Sequence, residues 1–298
     1  MIRAIFNGYW RSGTTLSWNI ARESNPELLV FYEPFNRKLP VYLLRYGPKG
    51  VSPLHGIALW NDYYKSGIVE EVGIFHSNLD SVFPERWLDA KLYLQLFHNL
   101  PEDCVLKTNR AHFILDRIKK EFSARVVHIV RNPIDVYNSI IKYRSINKKI
   151  SIIEKMAHLS YRIFRREFFF ETAPCFMWIR KHFGYPSVWD YKFKITHSRD
   201  LLGKFAVCWT VSNYFALKAA GDCFFKYEDL LMYPDRVRKK VEDCTGIKFN
   251  TDKMDIKIAE KRYNKKVHNK FLTKIEEYGL IREFEFVESR LRYFKEEI

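Results

Sequence analysis

Apolar residues along this chain come in short unbroken runs, and each run is followed by a stretch with helical spacing. "IRAIFN" (2–7) ends in Gly8, the pattern of a strand buried on both faces. "TTLSWNIARES" then reads as a helix. "ELLVFY" is a second strand, closing at Glu33-Pro34, and "DCVLK" a third, followed by a helix through "AHFILDRIKKEF". "ARVVHIV" is the clearest strand; it stops at "RNP", and "IDVYNSIIKY" reads as a helix. "DCFFKY" is a last strand, before one helix over "EDLLMYPDRVRKKVEDCTG" with Gly246 at its end. Alternating strands and helices predict an α/β fold with a central parallel sheet flanked by helices. Ligands of such sheets sit at the carboxyl ends of the strands.

Residues 145–205 break this rhythm. They are aromatic and basic, with Ile, Met, Leu and Phe at helical spacing, and read as an inserted helical lobe. Such a lobe either adds packing or forms an acceptor-side wall or membrane-surface helix. No repeat, low-complexity tract or Pro/Gly/Ser linker marks a boundary, so residues 1–298 read as a single domain.

Composition narrows the partners. The 298 residues are 47% apolar, an ordinary globular content. Fifty Lys and Arg against 35 Asp and Glu leave a charge of +15, which attracts nucleotides, acidic glycans, anionic lipid or nucleic acid. A basic surface with no specific partner has the same composition. The five cysteines (104, 175, 208, 223 and 244) form no CxxC pair, which argues against a zinc site. Their odd, scattered set reads as reduced thiols in a cytoplasmic compartment. "MIRAIFNGYW" runs straight into the first loop, which predicts no signal peptide or anchor ahead of it. The apolar run "FFFETAPCFMWI" is broken by Glu171 and Pro174 and is too short to span a bilayer.

The chemistry starts at "NGYWRSGTTL". A glycine turn between strand and helix aims backbone N–H groups at an anion, and the helix N-terminus adds about half a positive charge. Gly8 and Gly13 allow the turn; Ser12, Thr14 and Thr15 offer hydroxyls. A Walker loop would carry lysine at position 14. Here the cation is Arg11, whose planar guanidinium suits a phosphoanhydride-like bond without a metal. A purely structural turn would look the same locally. A second cluster is "VVHIVRNPIDVYNSI": Arg131 ends its strand and Ser139 follows eight residues on, two donors for a second phosphate or else a surface ion pair and an ordinary helix serine.

These two segments resemble the sulfotransferases that use 3′-phosphoadenosine-5′-phosphosulfate (PAPS). "YWRSGTTL" is similar to their 5′-phosphosulfate loop, with arginine at position 11 as in many Golgi members. "VRNPIDVYNS" is similar to their 3′-phosphate loop, with the same Arg-to-Ser spacing. "PELLVFYEPF", "LKTNRAHF" and "FFKYEDLLMYP" resemble segments of Golgi-type carbohydrate (6-O) sulfotransferases. The resemblance covers roughly residues 1–145 and 205–250. It implies a P-loop nucleotide-binding fold, PAPS as donor, PAP as product, and a hydroxyl acceptor on a carbohydrate or glycolipid. Cytosolic phenol and steroid members carry a catalytic histidine where this chain has Asn109, so the base lies elsewhere.

Sulfuryl transfer requires an in-line arrangement, stabilisation of developing charge and a base near the acceptor hydroxyl. Glu33 closes the second strand, and the resemblance gives it the part of the base; on the residues alone it could equally be a cap or ion-pair carboxylate. Arg11 is expected to neutralise the leaving phosphate. Lys107 is expected to hold a sulfuryl oxygen, Arg110 to face the acceptor, and Tyr227 to stack on adenine. Asp229 reads as structural, and His112 is the reserve base. This chemistry requires no metal. The rivals are a P-loop kinase or other nucleotide-binding protein, disfavoured by the missing lysine, and a basic module for nucleic acid or membrane surfaces. No helix-turn-helix, RRM or zinc-finger signature supports nucleic acid; the charge leaves a peripheral contact with an anionic membrane open.

Overall fold

The computed structural model describes residues 1–36, 38–51, 56–76, 87–147, 201–252 and 265–294. Most of the lobe expected at 145–205 lies outside the described residues. The chain groups into two compact units: Met1–Arg131 with Phe215–Ile258, and Asn132–Tyr214 with Ala259–Ile298. Each is described by itself.

The first unit holds a five-stranded, all-parallel sheet: β1 (Ile2–Gly8), β2 (Leu29–Tyr32), β3 (Cys104–Thr108), β4 (Arg125–Val130) and β5 (Phe224–Lys226), in the order β2-β3-β1-β4-β5. These are the five expected strands. The first four are buried almost throughout and β5 at its central residue, because helices flank the sheet, which is why they read as unbroken apolar runs. Helix α1 (Thr14–Ser24) follows β1 and packs Trp18, Ile20 and Ala21 into the core. Among the described residues between β2 and β3 lie four helices that the apolar pattern did not announce: α2 (Leu39–Tyr46), α3 (Asn61–Lys65), α4 (Val69–His76) and α5 (Trp87–His98).

Three local readings need correction. The helix after β3, α6, starts at Leu115 and not at Ala111, so residues 109–114 are loop and turn. The helix read over 228–246 is two helices, α9 (Tyr227–Met232) and α10 (Pro234–Thr245). Pro234 cannot donate into a continuous helix and pushes Tyr233 out of helical backbone, so a new helix begins at the proline. Gly246 does end α10, in the left-handed conformation with φ 69°. The third correction concerns the thiols: Cys223, just before β5, and Cys244, in the last turn of α10, form a disulfide with Cα atoms 5.8 Å apart. Packing of α10 beside β4 brings them together across 21 residues. Cys104 and Cys208 are buried, and Cys175 lies outside the described residues.

The second unit is helical. It contains α7 (Pro133–Asn147), most of α8 (Leu201–Ala220, whose turns from Phe215 on belong to the first unit), α11 (Lys265–Glu277) and α12 (Ile281–Leu291). Its core is aromatic: Phe271 meets Trp209 at 5.9 Å between ring centroids and stacks on Phe294 at 5.8 Å. Gly279, with φ 65°, makes the turn between α11 and α12. No helix among the described residues is long and apolar enough to cross a membrane.

Candidate active site

In the first unit, each strand delivers a singled-out residue at its carboxyl end. Arg11 to Thr15 follow β1, Glu33 follows β2, Lys107 stands in the last turn of pleat of β3, Arg131 follows β4 and Tyr227 follows β5. Ser139 lies on α7, in the second unit.

The loop after β1 turns sharply: Ser12 N–H donates to the Tyr9 carbonyl at 3.1 Å, and the Ser12 hydroxyl donates to the same oxygen. Gly8 has no room for a side chain, because a Cβ there would stand 2.7 Å from the Ile129 carbonyl oxygen. Gly13, with φ 89°, caps α1 without any side-chain cap bond, and the first turn of α1 holds no acidic residue. An uncapped, acid-free N-terminus leaves its amides and positive dipole end to an anion. Thr14 Oγ1 donates to Asn109 Oδ1 at 2.8 Å, and Thr15 Oγ1 shares a hydrogen bond with the Tyr32 hydroxyl at 2.9 Å. The guanidinium of Arg11 lies 6.0 Å from the centre of the Trp10 ring.

Four non-glycine residues among those described have left-handed φ. Ser123 and Arg292 simply cap helices. The other two are Arg11 (φ 66°) and Glu33 (φ 51°), the expected charge stabiliser and base. Such backbone costs about 1 kcal/mol or more and persists only where its surroundings impose it. For Glu33 the surroundings are visible. Its N–H donates to the Lys107 carbonyl at 2.8 Å, its own carbonyl accepts from Asn36 at 2.9 Å, and the Tyr93 hydroxyl holds the next carbonyl, that of Pro34, at 2.8 Å. In a continuing strand Glu33 would point to the face opposite Tyr32. The left-handed turn re-aims it, and its carboxylate takes an ion pair from Lys107 Nζ at one oxygen and from Arg110 Nη1, at 2.9 Å, at the other. All three side chains are 10% exposed or less. The Lys107 ammonium also lies 4.2 Å from the centre of the Tyr32 ring.

Tyr227 and Arg131 form the other wall. The Tyr227 ring lies against Gly13, so closely that a Cβ on Gly13 would stand 2.1 Å from Cδ2. The Arg131 guanidinium stacks over the same ring at 4.8 Å, and its Nη1 donates to the Arg11 carbonyl at 3.2 Å. Its Nε is buried with no hydrogen-bond partner. A buried guanidinium N–H left unmatched beside an uncapped helix start is suited to an anionic ligand.

Behind the loop, Asn7, His112 and His128 meet in the core. Asn7 Nδ2 lies 3.0 Å from His112 Nδ1 and 3.1 Å from His128 Nδ1. Burial, then the neighbouring charge of His128, holds His112 down at about 3, against a hydrogen bond with Asn109 backbone that raises it. A ring so reluctant to take a proton is a poor base near neutral pH. Asn7, Tyr32 and His128 were not singled out in the sequence, and Asn109 was noted only as standing where other members of the resembling family carry a histidine. The available signals were polar residues interrupting apolar strands, at Asn7 and His128, and register pairs them across β1 and β4.

No family model matches the chain. An uncharacterised protein of Archaeoglobus fulgidus is 30% identical over 306 residues, covering 94% of this chain and 96% of that one. The chain belongs to that protein's family. Among solved structures, a sulfotransferase domain from the curacin biosynthetic pathway covers 98% of both chains at 16% identity, with a TM-score of 0.47; a likeness at that score decides nothing about chemistry. Among the described residues, no group of three or more His, Cys, Asp and Glu side chains is placed to hold a metal.

Proposed function

We propose that this chain is a PAPS-dependent sulfotransferase of P-loop type, with a hydroxyl acceptor on a carbohydrate or glycolipid. The observation that carries the reading is the pairing of two anion-suited features on one sheet edge: the uncapped start of α1 and the buried, unmatched Nε of Arg131. A donor with a 5′-phosphosulfate and a 3′-phosphate uses both, whereas a nucleoside triphosphate has no group for Arg131. PAPS supplies the activated sulfuryl group. Arg11, Ser12, Gly13, Thr14 and Thr15 would hold its 5′ end, and Arg131 its 3′-phosphate. Tyr227, between Gly13 and Arg131, is then an adenine-side wall.

In this reading Glu33 takes the proton of the acceptor hydroxyl. Each carboxylate oxygen has two lone pairs, so the bonds to Lys107 and Arg110 leave room for that proton. The two cations aim the carboxylate. Lys107 then faces the transferring group and Arg110 the acceptor.

Calorimetry tests the reading. PAP should bind more tightly than 5′-AMP or ATP with magnesium, and Arg131→Ala should cost PAP about ten- to a hundredfold, the worth of a charge-assisted hydrogen bond. Equal affinity for PAP and 5′-AMP would mean that no 3′-phosphate site exists. Transfer of radiolabelled sulfate from PAPS to a panel of glycans and glycolipids then identifies the acceptor; loss of transfer on chelation, restored by magnesium, would favour the kinase reading.

A further inference from the structure

We infer that Tyr32 is a positioning residue that locks the donor loop and the Glu33–Lys107 pair into one frame; this rests on the sulfotransferase reading. Tyr32 is the last residue of β2, and its strand partner in register is Lys107. Directly opposed residues on adjacent strands share a face, so the ring lies under the ammonium, 4.2 Å from ring centre to Nζ. The hydroxyl of the same ring reaches the other way, to Thr15 Oγ1 in the first turn of α1 at 2.9 Å. One rigid side chain therefore touches the anion loop at its tip and the cation that aims Glu33 at its face.

The ring has little freedom to move. Trp18 and Trp60 meet it edge-on, with centroids 5.2 and 5.5 Å away. Trp18 is itself pinned by donating its Nε1–H to the Val30 carbonyl at 2.7 Å. The Tyr32 carbonyl accepts from the Tyr63 hydroxyl at 3.0 Å, and burial holds that hydroxyl protonated well above the usual tyrosine range. The first turn of α1 and Lys107 are thus tied to one clamped ring, and the base and donor sites keep a fixed separation. Near-attack geometry in a transfer reaction is sensitive to errors of about 1 Å, so such a spacer matters more to rate than to fold.

The experiment combines binding with a spectroscopic probe. PAP is titrated by calorimetry into the wild type, Tyr32→Phe, Thr15→Val and the double variant, and the Lys107 side-chain nitrogen is followed by NMR in lysine-labelled protein, assigned by its loss in Lys107→Met. Saturating PAP should move the Lys107 signal in the wild type. In Tyr32→Phe, which keeps the ring and loses the tether, that movement should fall by half or more, and PAP affinity should drop about three- to tenfold, the worth of one neutral hydrogen bond. The double variant should be no weaker than the weaker single, because both remove the same link. Tyr32→Leu should shift the Lys107 signal even without nucleotide. Wild-type binding with a Tyr32→Phe variant that keeps both affinity and Lys107 response overturns the coupling alone. A wild type that binds PAP no better than 5′-AMP overturns the sulfotransferase reading and the coupling with it.

Discussion

Changing Glu33 to Gln removes the negative charge from a buried cluster of one anion and two cations. The side chains of Glu33, Lys107 and Arg110 are 3%, 1% and 10% exposed. Without the carboxylate, two cations face each other across an amide that can accept from one of them. Leaving a buried charge uncompensated costs about 3–5 kcal/mol, and the remaining amide bond places this case near the lower end. Changing Lys107 to Met is different in kind. It leaves Glu33 paired with Arg110, a neutral couple, and a flexible apolar side chain on the Tyr32 ring. The loss there is one charge-assisted hydrogen bond, about 1.5–3 kcal/mol. The expected order is therefore Glu33→Gln less stable than Lys107→Met, with a melting-point drop of about 6–12 °C for the former. Urea unfolding at neutral pH measures both. Turnover, taken well below either midpoint so that both variants are folded, should fall about 10²- to 10⁴-fold for Glu33→Gln if it is the base. Equal stability of Glu33→Gln and wild type, or a more harmful Lys107→Met, would refute the charge argument.

Three other outcomes are expected. Gly13→Ala should be more damaging than Gly246→Ala, since both residues are left-handed (φ 89°, ψ 9° and φ 69°, ψ 12°), costing about 1–2 kcal/mol for an alanine, but only at Gly13 does the new Cβ meet the Tyr227 ring, at 2.1 Å, while at Gly246 the nearest atom, Arg3 Nη2, stands 3.9 Å away; thermal melts and PAP titration of both variants give the comparison. Reducing the Cys223–Cys244 disulfide with a dithiol should lower stability by about 3 kcal/mol, from the chain entropy released by a 21-residue separation, and an unchanged urea midpoint would contradict it. His112 titrates at about 3 in the folded chain against 6.5 when free. Between those values the unfolded chain binds the extra proton, so stability is full above pH 6.5 and falls as the pH drops towards 3. The slope is up to about 1.4 kcal/mol per pH unit. His112→Gln should flatten the profile by that one-proton slope, which urea midpoints across the window measure.

The strands were legible before the structure. Five apolar runs became five parallel strands because a strand buried on both faces can carry little else, and Gly8, Gly13 and Gly246 announced the turns they make. That the loop residues and Arg131 stand at strand ends was legible too, because a strand end followed by a helix start is a local event. Helices α4 and α5 escaped notice because their apolar residues carry weak periodicity, and α3, five residues long, is too short to show one. The break at Pro234 was local and readable, but was overridden by the charged helical pattern on either side. The disulfide was not readable, because cysteine spacing does not say which chain segments the sheet will bring within 6 Å. The same limit applies to the site. That Glu33 pairs with Lys107 and Arg110, that Tyr32 touches both Thr15 and Lys107, and that Asn109 holds Thr14 all depend on β3 inserting between β1 and β2. Local sequence sets which residues form an element and which of its faces is apolar. The partner of a buried charge is decided by strand order and register, and these come from the packing of the whole sheet.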